Sequence, residues 1–508
     1  MEHPEVTMAL PGLMGALQGG NLGHAIAGAE GLLEKAGDDA RVHDLLSTAL
    51  AMATNRELAA KHARIALDLN PDDAGLAKRA VSVLQRAGEY DTALAMVERA
   101  MYRAPGDVML EKIRVNLLTD LGMHREAARA IKKLSKKLDM SQAVEGFSVA
   151  LLSARLVPSQ MDAAEVVGEL GRFVGDGSLP GAMRRAGAFE MGRLFELGGE
   201  HGRAFESYCL GNELGELEWD PDAHTARVDR LLGAAERISE VPEAGYRHPD
   251  IAGENLVFIL GMMRSGSSLL EQIVSQLDGV VAGDEQAAVL RMVGQIESEL
   301  NPGEAPAVLP MPVSMDRYTG EHMDRIARAG LERYAEIVAQ RGDASEQMVY
   351  VTDKQTEHSV MVPLLHKLFP GCTVLYTARD AVDTCLSNFT TSYAQGHAQA
   401  SRLDWIGRFY ADHARMMAKW RGMDGVRFHK VEYSELVGEP ERETKRVAEI
   451  LGLEWSGSML EFYKSKRTVA TASQDQVRQP LYTSSVGRGE RFGELLDPLR
   501  AALGAESP

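Results

Sequence analysis

The chain is poor in cysteine, short of cations against its acids, and without any long apolar run. Three cysteines in 508 residues, Cys209, Cys372 and Cys385, are too scattered for a disulfide framework or a thiolate metal cluster. They read as reduced core thiols, and no metal is expected. Fifty-five Lys and Arg against 73 Asp and Glu leave a formal charge of −18, which excludes nucleic-acid binding by a generally basic surface. Any anion site must therefore be a local basic pocket. No stretch reaches the roughly 18 apolar residues that a membrane span needs. The N-terminal MEHPEVTMALPGLMGALQGG places acids before any apolar run. A cytoplasmic protein with no membrane span is expected. Hydrophobic residues still make up 45% of the chain, enough for real cores in two or more domains.

What the first half does have is a repeat. Ala25, Ala59, Ala93 and Ala127 lie 34 residues apart, as do Gly20, Thr54, Gly88 and Gly122, and Asn70-Pro71 returns as Ala104-Pro105. A two-helix unit explains this: the glycine permits the turn, the small alanine lets two helices approach, and the proline punctuates the next unit. Period and residue types resemble tetratricopeptide repeats, with four units between about Leu17 and Leu134 and a degenerate one at 199–205. The resemblance implies an α-helical solenoid over 1–239 with a concave groove. That groove reads either as a docking surface for a peptide or protein partner or as a support for oligomerisation or for the neighbouring domain. The Pro- and Gly-bearing stretch 240–249 has no helical period, so a linker is set at 240–254 and a second domain at 255–508.

The second half alternates strand-like runs with helical ones. Leu256-Val257-Phe258-Ile259-Leu260 leads into Gly261, and Gly266 is followed by apolar positions at helical spacing. Strand-like runs recur at 348–352, 373–378 and 426–431, with helical segments at 358–369, 381–393 and 404–420. This predicts an α/β domain with a mainly parallel central sheet, whose ligands sit at the carboxyl ends of the strands. Gly261 and Gly266 bracket four residues, the spacing of a phosphate-cradling P-loop. Ser267 stands where the nucleoside-triphosphatase pattern asks for Lys, and the cation of the loop is Arg264. A donor without a γ-phosphate therefore fits better.

The string Gly261-Met262-Met263-Arg264-Ser265-Gly266-Ser267-Ser268 resembles the 5′-phosphosulfate loop of sulfotransferases, with Met263 in place of the usual Pro and Ser267 in place of Thr. The resemblance implies 3′-phosphoadenosine 5′-phosphosulfate (PAPS) as co-substrate, held by Arg264, Ser265, Gly266, Ser267 and Ser268. Asp353-Lys354 follows the second strand, where Lys354 could reach the bridging oxygen on which charge develops. Arg379, with Ser387 eight residues later, resembles the family's segment for the donor's 3′-phosphate, with Ala381 replacing a Pro. After Val281-Ala282-Gly283 come Asp284 and Glu285. Glu285 is the candidate general base, Asp284 the alternate, and a helix-start cap for 285–300 the bland reading. His358 and His366 read as structural.

Near the end, Thr471-Ala472-Ser473 and then Gln476-Val477-Arg478-Gln479-Pro480, through Ser485 to Arg488, resemble the closing segment of repeat-fused sulfotransferases, which supplies basic contacts to the nucleotide. Arg478, Ser485, Arg488 and Ser473 are carried over on that basis. Gln355-Thr356 after Lys354 and Ala378 before Arg379 depart from the family pattern. The expected activity is sulfuryl transfer from PAPS to a hydroxyl acceptor by in-line displacement, the acceptor being a peptide or protein if the repeats present it. A repeat scaffold with a nucleotide-binding but inactive transferase half, or a P-loop nucleotide kinase, is the alternative.

Overall fold

In the first half, the 34-residue period becomes a stack of antiparallel helices. A computed structural model describes the chain except residues 1–2, 19–21, 53–55, 141, 158, 304–309, 342–349, 394–395, 466–478, 484 and 505–508. Helices Ala74–Ala87 and Val108–Asp120 begin alike, with Asp73 accepting from Leu76 N–H and Asp107 from Leu110 N–H, at 2.9 and 3.1 Å. These N-caps are 34 residues apart. The helices end alike too: Gly88 and Gly122 adopt φ of 77° and 72°, and Glu89 and Met123 N–H reach back to the carbonyls of Leu84 and Leu118. The repeated Ala25, Ala59, Ala93 and Ala127 are all fully buried, as close helix packing requires. At Gly199 the same turn recurs, with φ 77° and Glu200 N–H on Phe195 O.

Two units divide the chain at Glu200/His201. The composition shift at 240–249 lies instead inside the second unit, because the helices before it share that unit's core. Val228, Leu231 and Ala234 of the helix Pro221–Ala235 are buried with Leu256, Phe258 and Leu260. Asn212 donates to Phe389 O at 3.0 Å and Thr225 to Asp412 at 2.7 Å. Val241 and Ala244 join the same core, and the N–H groups of Gly245 and Tyr246 donate to Asp324. The stretch at 240–254 is thus a packed connection.

The second unit is built on five strands: β1 Leu256–Gly261, β2 Val280–Ala282, β3 Tyr350–Asp353, β4 Thr373–Ala378 and β5 Arg427–Glu432. They run parallel in the order β2-β3-β1-β4-β5. Every residue of β1 and β4 is buried, which is why both read as unbroken apolar runs. The pleat sends Leu256, Phe258 and Leu260 to one layer and Val257 and Ile259 to the other, against Leu270 and Ile273 of the helix Ser267–Val274. Side chains of this size contribute about 1.5–3 kcal/mol each when fully buried. A sheet held on both faces fixes the carboxyl ends of its strands, and the candidate residues sit there. Among the described residues no helix is long and apolar enough to cross a membrane.

Candidate active site

The loop from Gly261 to Gly266 is shaped by close backbone approach. A Cβ on Gly261 would stand 2.7 Å from Thr377 O, and one on Gly266, at φ 109°, 2.7 Å from the Tyr433 ring. Arg264 itself is left-handed at φ 68°, a conformation that costs a non-glycine residue on the order of 1–3 kcal/mol and persists only where neighbours hold it. They do: Asn388 Nδ2 donates to Met263 O at 2.8 Å, Arg379 Nη1 to Arg264 O at 3.2 Å, and Ser265 Oγ meets Thr377 Oγ1 at 2.7 Å. Ser265 also gives its N–H to Met262 O, so both of its polar groups brace the loop. Gly266, Ser267 and Ser268 form the N-terminus of the helix Ser267–Val274, whose first-turn N–H groups have no partners within the helix.

Beside that helix start the fold gathers three guanidinium groups. Arg264 Nε donates to Ser387 Oγ at 3.1 Å, Arg379 Nη2 to Ser485 O at 2.6 Å, and Arg488 Nη1 to Thr390 Oγ1 at 3.0 Å. Burial holds the Arg264 guanidinium below its usual range, and repulsion from Arg379 and Arg488 adds to the effect. The Nε of Arg379 is buried with no hydrogen-bond partner. In a chain of net charge −18, three neighbouring, partly buried cations with one buried unmet donor fit an anionic ligand. Arg379 also lies over the Tyr433 ring, 5.0 Å from its centroid, and Tyr433 OH meets Ser485 Oγ at 2.8 Å. Arg264, Gly266, Arg379 and Tyr433 line a pocket closed by residues 479–482. Asp383 pins the chain after Ser485, accepting from the N–H groups of Gly487 and Gly489 at 2.7 Å each. Ser473 and Arg478 lie outside the described residues.

A cation–carboxylate pair occupies the ends of β2 and β3. Lys354 Nζ donates to Glu285 Oε1 at 2.9 Å, the lysine side chain 1% exposed and the glutamate 40%. Glu285 precedes the helix Ala288–Leu300, whose N-cap is Ala287, so its carboxylate does not cap that helix. Asp284 is buried at φ 60°, with its N–H on Glu271 Oε1 at 3.0 Å and its carbonyl accepting from Lys354 N–H at 2.9 Å. Glu271, fully buried, also accepts from Thr352 Oγ1 at 2.8 Å and so ties the loop to β3. His358 belongs to the core: it packs edge-on to Phe258, and burial lowers its pKa to about 4. His366 lies on the helix Val362–Leu368, its ring beside Gly425 just ahead of the amino end of β5.

Behind Lys354 the carboxyl of Asp353 accepts from Tyr334 OH at 2.7 Å and from Gln355 N–H at 2.9 Å. Burial nevertheless raises its pKa from 3.8 to about 7. The folded chain therefore keeps a proton that the unfolded chain releases. The stability this group contributes is complete below pH 3.8 and is lost as pH rises through 7. Asp353→Asn cannot ionise, so its stability relative to wild type should climb steadily between pH 4 and 7. Urea midpoints measured across that range test this; a constant difference would assign the proton elsewhere.

Sequence reasoning missed Glu271, Asp383, Asn388 and Tyr433. Two of them carried a signal. Glu271 is an acid inside the apolar run Leu269 to Val274, and Asp383 sits one turn after Arg379. Among the described residues no group of three His, Cys, Asp or Glu side chains could hold a metal ion.

Comparison with known proteins adds to this geometry. An uncharacterised protein of Aquifex aeolicus (strain VF5) is 27% identical over 412 residues, covering 80% of this chain and 51% of its own. The chain thus spans about half the length of that curated relative. Among solved structures, the sulfotransferase domain of the Synechococcus PCC 7002 olefin synthase aligns at 16% identity over 52% of this chain and 99% of its own, with a TM-score of 0.33. Pseudomonas aeruginosa pilF aligns at 18% identity over 40% and 88%, with a TM-score of 0.32. Residues 256–457, in the second half of the chain, match the model of the Sulfotransferase family.

Proposed function

We propose that the chain transfers a sulfuryl group from PAPS to a hydroxyl acceptor. The observation that carries this reading is the convergence of Arg264, Arg379 and Arg488 beside the Lys354–Glu285 pair at the strand ends of a family-matched domain. The helix start at Gly266 to Ser268, with Arg264, would hold the donor's 5′-phosphosulfate. Arg379, Ser387 and Arg488 would hold its 3′-phosphate, with Ser485 and Tyr433 closing over the nucleotide. The acceptor oxygen attacks sulfur as the bond from sulfur to the bridging oxygen breaks. Lys354 stabilises the charge left on that oxygen, and Glu285 takes the acceptor's proton. Until a donor arrives, the glutamate compensates the buried ammonium. The repeat unit is read as a surface that brings a peptide or protein to the site.

Titration with 3′-phosphoadenosine 5′-phosphate (PAP) beside ADP tests the donor reading. Charge-assisted hydrogen bonds contribute about 1.5–3 kcal/mol each, so PAP should bind at least about tenfold more tightly than ADP, and Mg²⁺ should not be needed. Equal affinity for both, or tight binding of ATP with Mg²⁺ alone, would overturn it.

A further inference from the structure

A second cavity opens on the other side of the Gly261 loop, and part of its far wall comes from residues 217–227, which precede the family-matched segment. Gly261, Met262 and Met263 form one side, and Trp219, His224 and Phe409 another. Those three rings make one cluster, with centroids 5.3 Å apart for Trp219 and His224, 4.9 Å for His224 and Phe409, and 6.2 Å for Trp219 and Phe409. Met311 and Met416 add polarizable apolar surface. The wall is firmly held. Besides Thr225 on Asp412, Arg408 pairs with Asp222 at 2.7 Å, Arg415 with Asp229 at 2.6 Å and Lys419 with Glu236 at 3.1 Å, along the helices Pro221–Ala235 and Leu403–Arg421.

The cavity comes up to the segment that follows Lys354. Thr356, Glu357 and His397 line it. Burial raises the Glu357 carboxyl and the nearby Glu285 charge raises it further; burial lowers His397, against the pull of the same Glu285. Thr356 follows Lys354, the partner of Glu285, by two residues, which brings the cavity's edge near the candidate base. Thr356, one of the departures from the family pattern, falls on this side rather than on the nucleotide side. Charge in the lining is unbalanced: Glu218, Asp220 and Glu357 face one arginine, Arg227. Burial holds His224 and His413 below the usual range and so neutral near pH 7.

We infer that this cavity is the acceptor site, that residues 217–227 select the acceptor, and that the acceptor is an aromatic hydroxyl compound, neutral or cationic but not anionic. The inference rests on the sulfotransferase reading. An aromatic ring satisfies the Trp219 and Phe409 faces and the methionine sulfurs, while its hydroxyl points toward Glu285. A carboxylate or sulfate on the acceptor meets the exposed Glu218 and Asp220, with Glu357 deeper in the lining, whereas an ammonium is attracted by them.

The test uses the full chain saturated with PAP, with tyramine and 4-hydroxyphenylacetate as probes, binding being followed by ligand-observed NMR. Tyramine should bind more tightly than the anionic phenol. Trp219→Ala should weaken tyramine by about tenfold and leave PAP affinity unchanged, and Trp219→Phe should restore most of the loss. Absence of tyramine binding to a PAP-loaded protein, preference for the anionic phenol, or equal binding by Trp219→Ala would overturn the acceptor inference and leave the donor reading standing. Absence of PAP binding would overturn the donor reading, and this inference with it.

Discussion

Glu285→Gln should lower kcat by about 10²–10⁴-fold, the usual contribution of a general base. The glutamine carbonyl can still accept from Lys354 Nζ, and at 40% exposure the side chain is not part of the core, so the fold and PAP affinity should be retained. A merely structural role would predict the same loss with every acceptor. A base predicts something narrower. With a phenol acidic enough to be ionised at the assay pH there is no proton to remove, and the variant should approach the wild-type rate. Turnover of an unionised phenol at the wild-type rate by Glu285→Gln would remove the base assignment.

Lys354→Met should lower kcat by about 10²–10³-fold, the cost of losing one preorganised group aimed at developing charge. Methionine fills much of the same buried volume without a charge. Replacing a buried ion-pair partner by an apolar side chain is tolerated when the remaining charge can be solvated, and Glu285 can be, at 40% exposure. Unlike Glu285→Gln, this variant should stay slow with an ionised phenol, because its defect lies at the leaving oxygen. Recovery with that acceptor would place Lys354 on the acceptor side instead.

The parts of the fold legible in the sequence are those where one local rule decides the outcome. β1 and β4 were readable because both faces of each are buried, and the repeat helices because alanine and glycine recur where packing and turns demand them. The helix predicted over 381–393 ends at Phe389. There Thr390 and Thr391 turn their hydroxyls back to the carbonyls of Leu386 and Ser387, a competition that pattern alone does not weigh. The helix predicted from 285 starts at Ala288 because the chain is diverted first, by the left-handed Asp284 and by Gln286 N–H bonding Asp353. β2 has three residues, too few for a period. Residues 217–227 look like any polar helical stretch. Their place beside the loop depends on contacts with residues near 409, almost two hundred positions away, which no local pattern encodes.

The same distinction runs through the site. Glycine spacing and the Arg379 to Ser387 interval pointed to an anion site, and the structure brings Arg264 onto Ser387 and Arg379 onto the Arg264 carbonyl. Ser265 is expected among the ligand-binding residues, and its hydrogen bonds within the protein go to Thr377 and Met262. Which partner a serine of a glycine-rich loop takes within the protein is set by the neighbouring strand, here β4, and not by the loop's own sequence.

Transfer of a radiolabelled sulfuryl group from PAPS to tyramine, with PAP quantified in the same reaction, tests the central claim most directly. The account predicts one sulfated acceptor per PAP released, with product formation collapsing in both Glu285→Gln and Lys354→Met. PAP release without label on any acceptor in a hydroxyl panel, or label transfer unchanged in those two variants, would contradict it.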